Sequence, residues 1–267
     1  MVKNPLAEKL KAMKTTLGIR VTHADQAELA AFLGFDWFMI DQMFTSADWN
    51  IVHHTLKVGE ASGISPIVRV AGNPWLGYNH QLAVDATRAF GMGAQFVMVS
   101  HSCKKEIEEC LEVQGDWHRN ALTVHPFRSQ DEWKTKTKEI AESNYVIAHA
   151  ESQGSYDEFE ETMALPGLKM FFFAMTDASK ILSKSTEPDW YNANLWKFID
   201  KAVALGEKKG IMIGANTSYG YSMKEMRKRV NHLHDHGVKF IYIQSAGYLF
   251  QTAIGEFLSD VHKDLKL

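Results

Sequence analysis

The chain has 267 residues, of which 45% are hydrophobic and 23% are charged, values typical of a globular protein with a sizeable core. Its formal net charge of -3 comes from acidic and basic side chains mixed along the chain, so we expect no general attraction to nucleic acid or to acidic membranes. No apolar run approaches the ~20 residues that span a bilayer. We expect a single domain over residues 1–267.

Of the two cysteines, Cys110 falls in a predicted helix and Cys103 immediately precedes it. Their spacing puts them on one helix face about two turns apart, which is too far for a disulfide. So few thiols favour a reducing cytoplasm, and we do not expect a cysteine-based zinc site because there is no CxxC pair and no third thiolate. The first residues predict a basic helix rather than the core of a signal peptide.

Short apolar runs alternate with amphipathic segments along the chain. The runs are continuous in apolarity, as is typical of parallel strands buried on both faces. The predicted strands are 16–22, 36–41, 66–71, 95–101, 145–151, 168–176, 210–215 and 239–244. The predicted helices are 24–33, 47–62, 78–92, 104–113 with 132–143, 155–165, 192–208, 223–236 and 248–265, with long excursions at 115–130 and 179–191. Eight such units predict a closed (β/α)8 barrel.

Polar side chains follow most of these strands, at the point where each strand ends. Because the carboxyl ends of parallel strands meet at one rim of a barrel, we expect these side chains to lie close together. Glu151 ends the fifth predicted strand and Asp177 follows the sixth. Two acids on neighbouring strands could hold one hard divalent cation through oxygen, which predicts a metal-dependent enzyme.

Several of these strands resemble motifs of the HpcH/HpaI aldolase and citrate-lyase family, the class II pyruvate aldolases. Residues 33–41 read L-G-F-D-W-F-M-I-D, similar to the family's G-F-D-W-L-L-I-D. Arg69 lies in P-I-V-R-V, similar to V-V-R-P, and residues 93–99 are similar to G-A-Q-x-L-L-V-P. Glu151 and Asp177 fall at the acids of Q-x-E-T and G-P-A-D-L-S. The likeness runs from about residue 17 to about residue 258.

The resemblance implies a barrel of the phosphoenolpyruvate/pyruvate type with a swapped last helix and a homo-oligomer, a dimer-based hexamer. It implies a divalent metal (Mg, Mn or Co) held by Glu151 and Asp177, and a small-molecule 2-oxo acid such as pyruvate that chelates it. Arg69 would stabilise the enolate oxygen while a bond to an aldehyde partner forms or breaks. Asp41 would orient the neighbouring water and base.

The chain also departs from the family pattern. Phe44 stands where the family has a histidine that assists proton transfer, and Gly91 stands near the place of an acid. The substrate-cradling G-P-A-D loop reads A-M-T-D at residues 174–177. Arg20 replaces a tryptophan, and His149 replaces the glutamine before the metal-binding glutamate. The motifs for metal and enolate are retained, whereas those for proton transfer differ.

Replacement catalytic groups are therefore expected at the same rim. Histidine suits proton transfer because its pKa lies near neutrality, and the candidates are His23, His101 and His149. We expect His149 to lie near the metal because it shares a strand face with Glu151. The substrate-binding candidates are Arg20, which could clamp a second carboxylate, and Met175, Thr176 and Asn216. An aromatic acceptor pocket could come from Trp75, Tyr78, Trp117, Phe127 and Tyr219.

Structural roles are the alternative for each of these residues. Glu151 and Asp177 could form a buried ion pair or a rim hydrogen bond, Arg69 could pair with Asp41 or Glu151, and Asp41 could cap the next turn. The leading functional hypothesis is a metal-dependent carbon–carbon lyase. The alternatives are a decarboxylase, hydratase or acyl-CoA lyase that forms an enolate, and a barrel that binds a metabolite without converting it.

Overall fold

The structure, a computed structural model, describes residues 4–45, 47–70, 80–100, 103–115, 129–218 and 222–265. Eight parallel strands form a closed barrel in chain order, β1 to β8, so the predicted (β/α)8 barrel is confirmed. The strands are β1 (Thr16–Val21), β2 (Trp37–Asp41), β3 (Ser65–Val70), β4 (Phe96–Val99), β5 (Tyr145–Ala150), β6 (Met170–Phe173), β7 (Met212–Asn216) and β8 (Phe240–Ser245).

Helices follow the strands and surround the barrel, and one more precedes β1. They are α1 (Pro5–Lys11), α2 (Ala24–Phe32), α3 (Trp49–Ser62), α4 (Gln81–Met92), α5 (Lys104–Gly115), α6 (Gln130–Ala141), α7 (Gln153–Asp157), α8 (Phe159–Thr162), α9 (Met175–Ser183), α10 (Ala193–Lys209), α11 (Met223–Asp235) and α12 (Ala246–Leu265). Among the residues that the structure describes, none of these helices combines the length and the apolarity that crossing a membrane requires.

Three predicted segments differ from the structure. The excursion predicted at 179–191 begins too early, because α9 continues to Ser183. The predicted helix 155–165 is wrong as a single element, because the chain forms the short helices α7 and α8 there. The predicted strand 168–176 is too long, because β6 ends at Phe173 and α9 begins at Met175. Asp177 therefore lies in the first turn of a helix, where its charge complements the helix dipole, and not at the end of a strand.

The lower half of the barrel interior is apolar and largely aromatic. Trp37 stacks on Phe240 with ring centroids 4.2 Å apart, and Phe172 meets Phe240 edge-on at 5.7 Å. α1 lies against this layer, where Leu6 and Leu10 are buried with it. The N-terminal end of the barrel is thus filled by side chains, as is usual for this fold.

Toward the other end, the inward-facing positions of the strands become polar. On β2 the buried Trp37 and Met39 belong to the apolar layer, and the next inward position is Asp41. On β3 the same alternation leads from Ile67 to Arg69. On these two strands the charged inward positions therefore lie at the C-terminal rim, above an apolar floor.

The packing of this apolar floor leaves no room for a side chain at Gly18, which can be tested. A Cβ on Gly18 would lie 2.1 Å from the ring of Trp37, so we expect Gly18→Ala to lower the free energy of unfolding by about 2–3 kcal/mol through overpacking. Gly91→Ala in α4 is the matched control, because a Cβ there meets no atom within 4 Å. It should raise stability by about 0.5 kcal/mol through helix propensity. Urea denaturation measures both, and equal effects would contradict the packing argument.

Candidate active site

A chain of ion pairs crosses the C-terminal rim of the barrel. Nη1 of Arg20 donates to Oδ2 of Asp41 at 2.8 Å, and Arg69 lies between Asp41 and Glu151. The Glu151 carboxylate is also 3.4 Å from Nε2 of His149. β1, β2, β3 and β5 thus contribute side chains to one connected polar network.

Asp41 organises this network. Its carboxylate accepts two hydrogen bonds from Arg69, Nε to Oδ1 at 2.9 Å and Nη2 to Oδ2 at 3.0 Å, in the two-pronged geometry that favours arginine. Oδ1 also accepts from the backbone amides of Met43 at 2.9 Å and Phe44 at 3.3 Å. Burial alone would raise the pKa of Asp41, but the charges and hydrogen bonds of Arg69, the charge of Arg20 and the Met43 amide outweigh it, and the pKa lies below its usual value.

Arg69 joins Asp41 to the first proposed metal ligand. Its Nη1 donates to Oε1 of Glu151 at 3.2 Å, and both side chains are buried. The ion-pair alternatives for Arg69 and the capping alternative for Asp41 are thus found in the structure. They do not exclude catalytic roles, because the same guanidinium faces the rim where a substrate would enter.

His149 lies beside Glu151, as their shared strand face predicts. Its ring is buried and meets Phe172 edge-on with centroids 5.0 Å apart. The imidazole therefore lies directly above the aromatic floor and against a carboxylate. A group in this position could exchange a proton with a ligand held at Glu151.

The second proposed metal ligand, Asp177, approaches the same region from α9. Burial raises the pKa of Asp177 above its usual value, and the charges of Lys180 and Arg69 together with its own amide offset this only in part. Burial also raises the pKa of the Tyr156 phenol, and the charges of Asp177 and Glu151 both add to that rise. The two acids therefore lie within electrostatic range of one phenol and one guanidinium.

These acids fit a hard divalent cation. A carboxylate whose charged form is disfavoured by burial gains from a neighbouring cation, and carboxylate oxygens are the ligands that Mg²⁺ prefers. Within the part of the chain that the structure describes, no group of three or more His, Cys, Asp or Glu side chains could hold a metal. Mg²⁺ is commonly bound by two carboxylates, with water or substrate oxygens in its remaining coordination positions.

The N-terminus of α9 is held against the end of β7. Oδ1 of Asn216 accepts from the amides of Met175 at 3.0 Å and Ser218 at 3.2 Å, and Thr176 Oγ1 donates to Ser218 Oγ at 2.9 Å. Ser218 has a φ of 53°, in the left-handed region that few non-glycine residues adopt. Asn216 thus positions the turn that carries Met175 and Thr176. The sequence carried no signal for Ser218, because neither its conformation nor its contact with Thr176 follows from a motif.

Other sequence candidates lie apart from this network or outside the described residues. His23 is exposed at the start of α2, where its Nδ1 lies 2.9 Å from Oγ1 of Thr22, so it is not among the side chains brought to Glu151. His101 lies outside the described residues, as does the whole predicted aromatic pocket of Trp75, Tyr78, Trp117, Phe127 and Tyr219.

Comparisons with known proteins agree with this barrel fold. No protein-family model matches the chain. The chain is similar to 2-dehydro-3,6-dideoxy-6-sulfogluconate aldolase from Pseudomonas putida, with 25% identity over 228 residues that cover 80% of this chain and 86% of that protein.

Solved structures cover nearly the whole chain. An HpcH/HpaI aldolase/citrate lyase family protein from Burkholderia cenocepacia J2315 matches with a TM-score of 0.75 and 19% identity, over 97% of this chain and 100% of that one. Citrate synthase SbnG matches with a TM-score of 0.77 and 16% identity, over 99% and 100%. A more distant match is CitE from Mycobacterium tuberculosis in complex with magnesium and acetate, with a TM-score of 0.56 and 12% identity, over 92% and 90%.

At these identities the solved structures establish the fold. Together with the aldolase relative they confirm the predicted resemblance to the HpcH/HpaI aldolase/citrate lyase family, and they support the predicted lyase.

The depressed pKa of Asp41 predicts a pH-dependent contribution to stability. This contribution is complete above the pKa that Asp has in an unfolded chain, about 3.9, and is lost as pH falls through the lower folded-state pKa. We expect Asp41→Asn to lower the free energy of unfolding by about 3 kcal/mol at pH 7, because it breaks a buried ion pair. The difference from wild type should shrink as pH falls below about 4.

Urea denaturation at pH 7 and pH 3 measures the Asp41 effect. Asp157→Asn on α7 is the control, since Asp157 is exposed and bonds only its neighbour Gln153 among the contacts described. It should change stability little at either pH. A deficit in Asp41→Asn that is as large at pH 3 as at pH 7 would contradict the assigned role.

Proposed function

We propose that the protein is a divalent-metal-dependent carbon–carbon lyase that acts on a 2-oxo acid of the pyruvate type with an aldehyde partner. The observation that carries this proposal is the placement of Arg69, which Asp41 holds against Glu151 at the rim of the barrel and whose charge also acts on Asp177. A fixed cation beside a pair of carboxylates suits a reaction in which negative charge develops on an oxygen next to a bound metal.

Glu151 and Asp177 would hold the metal, and Mg, Mn and Co are the candidates. When bound, such an ion would draw electrons from the ketone of the 2-oxo acid and so acidify the neighbouring carbon. Two carboxylates supply a charge that balances a divalent ion, and burial disfavours the charged form of Asp177 unless a cation lies beside it. The magnesium in the related CitE structure supports a divalent ion of this kind.

Arg69 would stabilise the enolate oxygen of the 2-oxo acid. Its guanidinium is oriented in advance by the two bonds to Asp41, so it needs no rearrangement when charge develops. The turn of Met175 and Thr176 at the start of α9 would bind the substrate carboxylate through the Thr176 amide, because the Met175 amide is bonded to Asn216, which holds that turn in place. Arg20 would pair with a second carboxylate where the substrate carries one.

His149 would transfer protons, with His101 as a second candidate. In cleavage, a base takes the proton of the substrate hydroxyl, the carbon–carbon bond breaks, and its electron pair passes into the enolate as the aldehyde leaves. Protonation of the enolate carbon then gives the 2-oxo acid. His149 supports this role because it is buried against Glu151 and can exchange a proton without bulk water.

We also propose that the protein is a homo-oligomer. α12 carries four exposed apolar side chains at a spacing that puts them on one helix face: Phe250, Ile254, Phe257 and Leu258. An exposed stripe of this kind is typical of an interface between protein surfaces. A second copy of the chain would cover it, as the dimer-based hexamer and swapped last helix of the resembling family imply.

Metal binding can be tested apart from turnover. We expect Mg²⁺ or Mn²⁺ to raise the melting temperature of the wild type and to support exchange of the pyruvate methyl protons in D2O. Glu151→Gln and Asp177→Asn should lose both effects. Glu161→Gln, an exposed acid paired with Lys104, should keep both. Exchange that resists chelators, or wild-type turnover in Glu151→Gln, would overturn the proposal.

The oligomer can be tested on α12. We expect the double variant Ile254→Asp and Phe257→Asp to dissociate into smaller species, because charges in an apolar interface are costly. Ser259→Asp, on the opposite face of the helix, should leave the assembly intact. Sedimentation velocity gives the masses, and a wild type that sediments as a monomer at micromolar concentration would contradict the interface.

A further inference from the structure

Phe44 has an unusual environment at the rim. Its side chain is 63% exposed, yet one face of its ring covers the buried guanidinium of Arg69, whose Cζ is 4.8 Å from the ring centroid. Most large apolar side chains at a barrel rim would be turned inward to escape water. Here the ring is exposed to solvent, directly beside the side chain proposed to stabilise the enolate.

The backbone that carries Phe44 is fixed by Asp41. Oδ1 of Asp41 accepts from the amides of Met43 and Phe44, and the Thr45 hydroxyl donates to the Asp41 carbonyl oxygen. One carboxylate therefore sets the positions of both Arg69 and the aromatic ring. The ring is preorganised relative to the reacting atoms, as a specificity contact requires.

Arg69 does not depend on this ring for its orientation. The two bonds of 2.9 and 3.0 Å from Asp41 already fix the plane of the guanidinium. A phenyl ring can neither donate nor accept a proton, so Phe44 takes no part in proton transfer. What remains is its exposed apolar surface beside the Arg69 guanidinium.

We propose that Phe44 is a specificity-determining residue that lies against the substituent of the acceptor aldehyde. An apolar aryl or alkyl substituent gains by covering the exposed ring, whereas a hydroxylated substituent gains less because it gives up water. The preferred acceptors are therefore apolar aldehydes. This inference rests on the proposed aldolase function and adds the class of the second substrate.

The test compares two acceptors with pyruvate and a divalent metal: benzaldehyde, and the small polar glycolaldehyde. We expect the wild type to favour benzaldehyde in kcat/KM. Phe44→Ala should lower kcat/KM for benzaldehyde about tenfold and that for glycolaldehyde far less, in line with the loss of an apolar contact. Phe44→Leu, which keeps apolar bulk, should lie between. Phe32→Ala is the matched control, because Phe32 is 86% exposed at the far end of α2.

Exchange of pyruvate protons in D2O separates two kinds of failure, because it needs no acceptor. Absence of exchange in the wild type would overturn the proposed function and this inference with it. Exchange in the wild type together with a preference for glycolaldehyde would overturn the inference alone. An equal loss with both acceptors in Phe44→Ala would also overturn it, since the ring would then act through Arg69 and not on the substituent.

Discussion

The two-pronged ion pair between Asp41 and Arg69 is the interaction on which the rim of this barrel depends. The two residues are directly opposite each other in the register of β2 and β3, so the barrel itself brings them together. Because Asp41 is fully buried, its charge requires compensation, and Arg69 and Arg20 supply it. The same carboxylate holds the turn that carries Phe44. One buried acid thus links the fold of the rim to the chemistry proposed there.

The barrel could be predicted from the sequence because its strands are read from local pattern alone. Continuous apolar runs separated by amphipathic segments define eight strands, and each of the eight is present. The end of β6 could not be predicted in this way. The apolar run continues past Phe173, and the helix that replaces it begins at Met175, whose amide bonds to Asn216 on a different strand. A contact between residues 41 positions apart leaves no mark on the local pattern.

The sequence predicted which residues form the candidate site better than it predicted the contacts between them. Asp41, Arg69, His149 and Glu151 follow from the rule that polar residues at strand ends meet at one rim, and the structure joins them in one network. Ion pairing and catalysis remained alternatives for Arg69 at the level of sequence, because both call for the same residue types. The position of Phe44 was visible as a missing histidine. Its stacking on Arg69 was not, because it depends on how Asp41 folds the following turn.

The aromatic layer formed by Trp37, Phe172 and Phe240 has a consequence for any ligand that enters. This apolar layer lies beneath the polar rim and has a low dielectric constant, so water and counterions screen the charges at the rim from one side only. Each anion that arrives must be balanced by cations present at the rim or carried in with it. Under the proposed function, this balance would come from Arg20 and Arg69 at the rim together with the divalent ion.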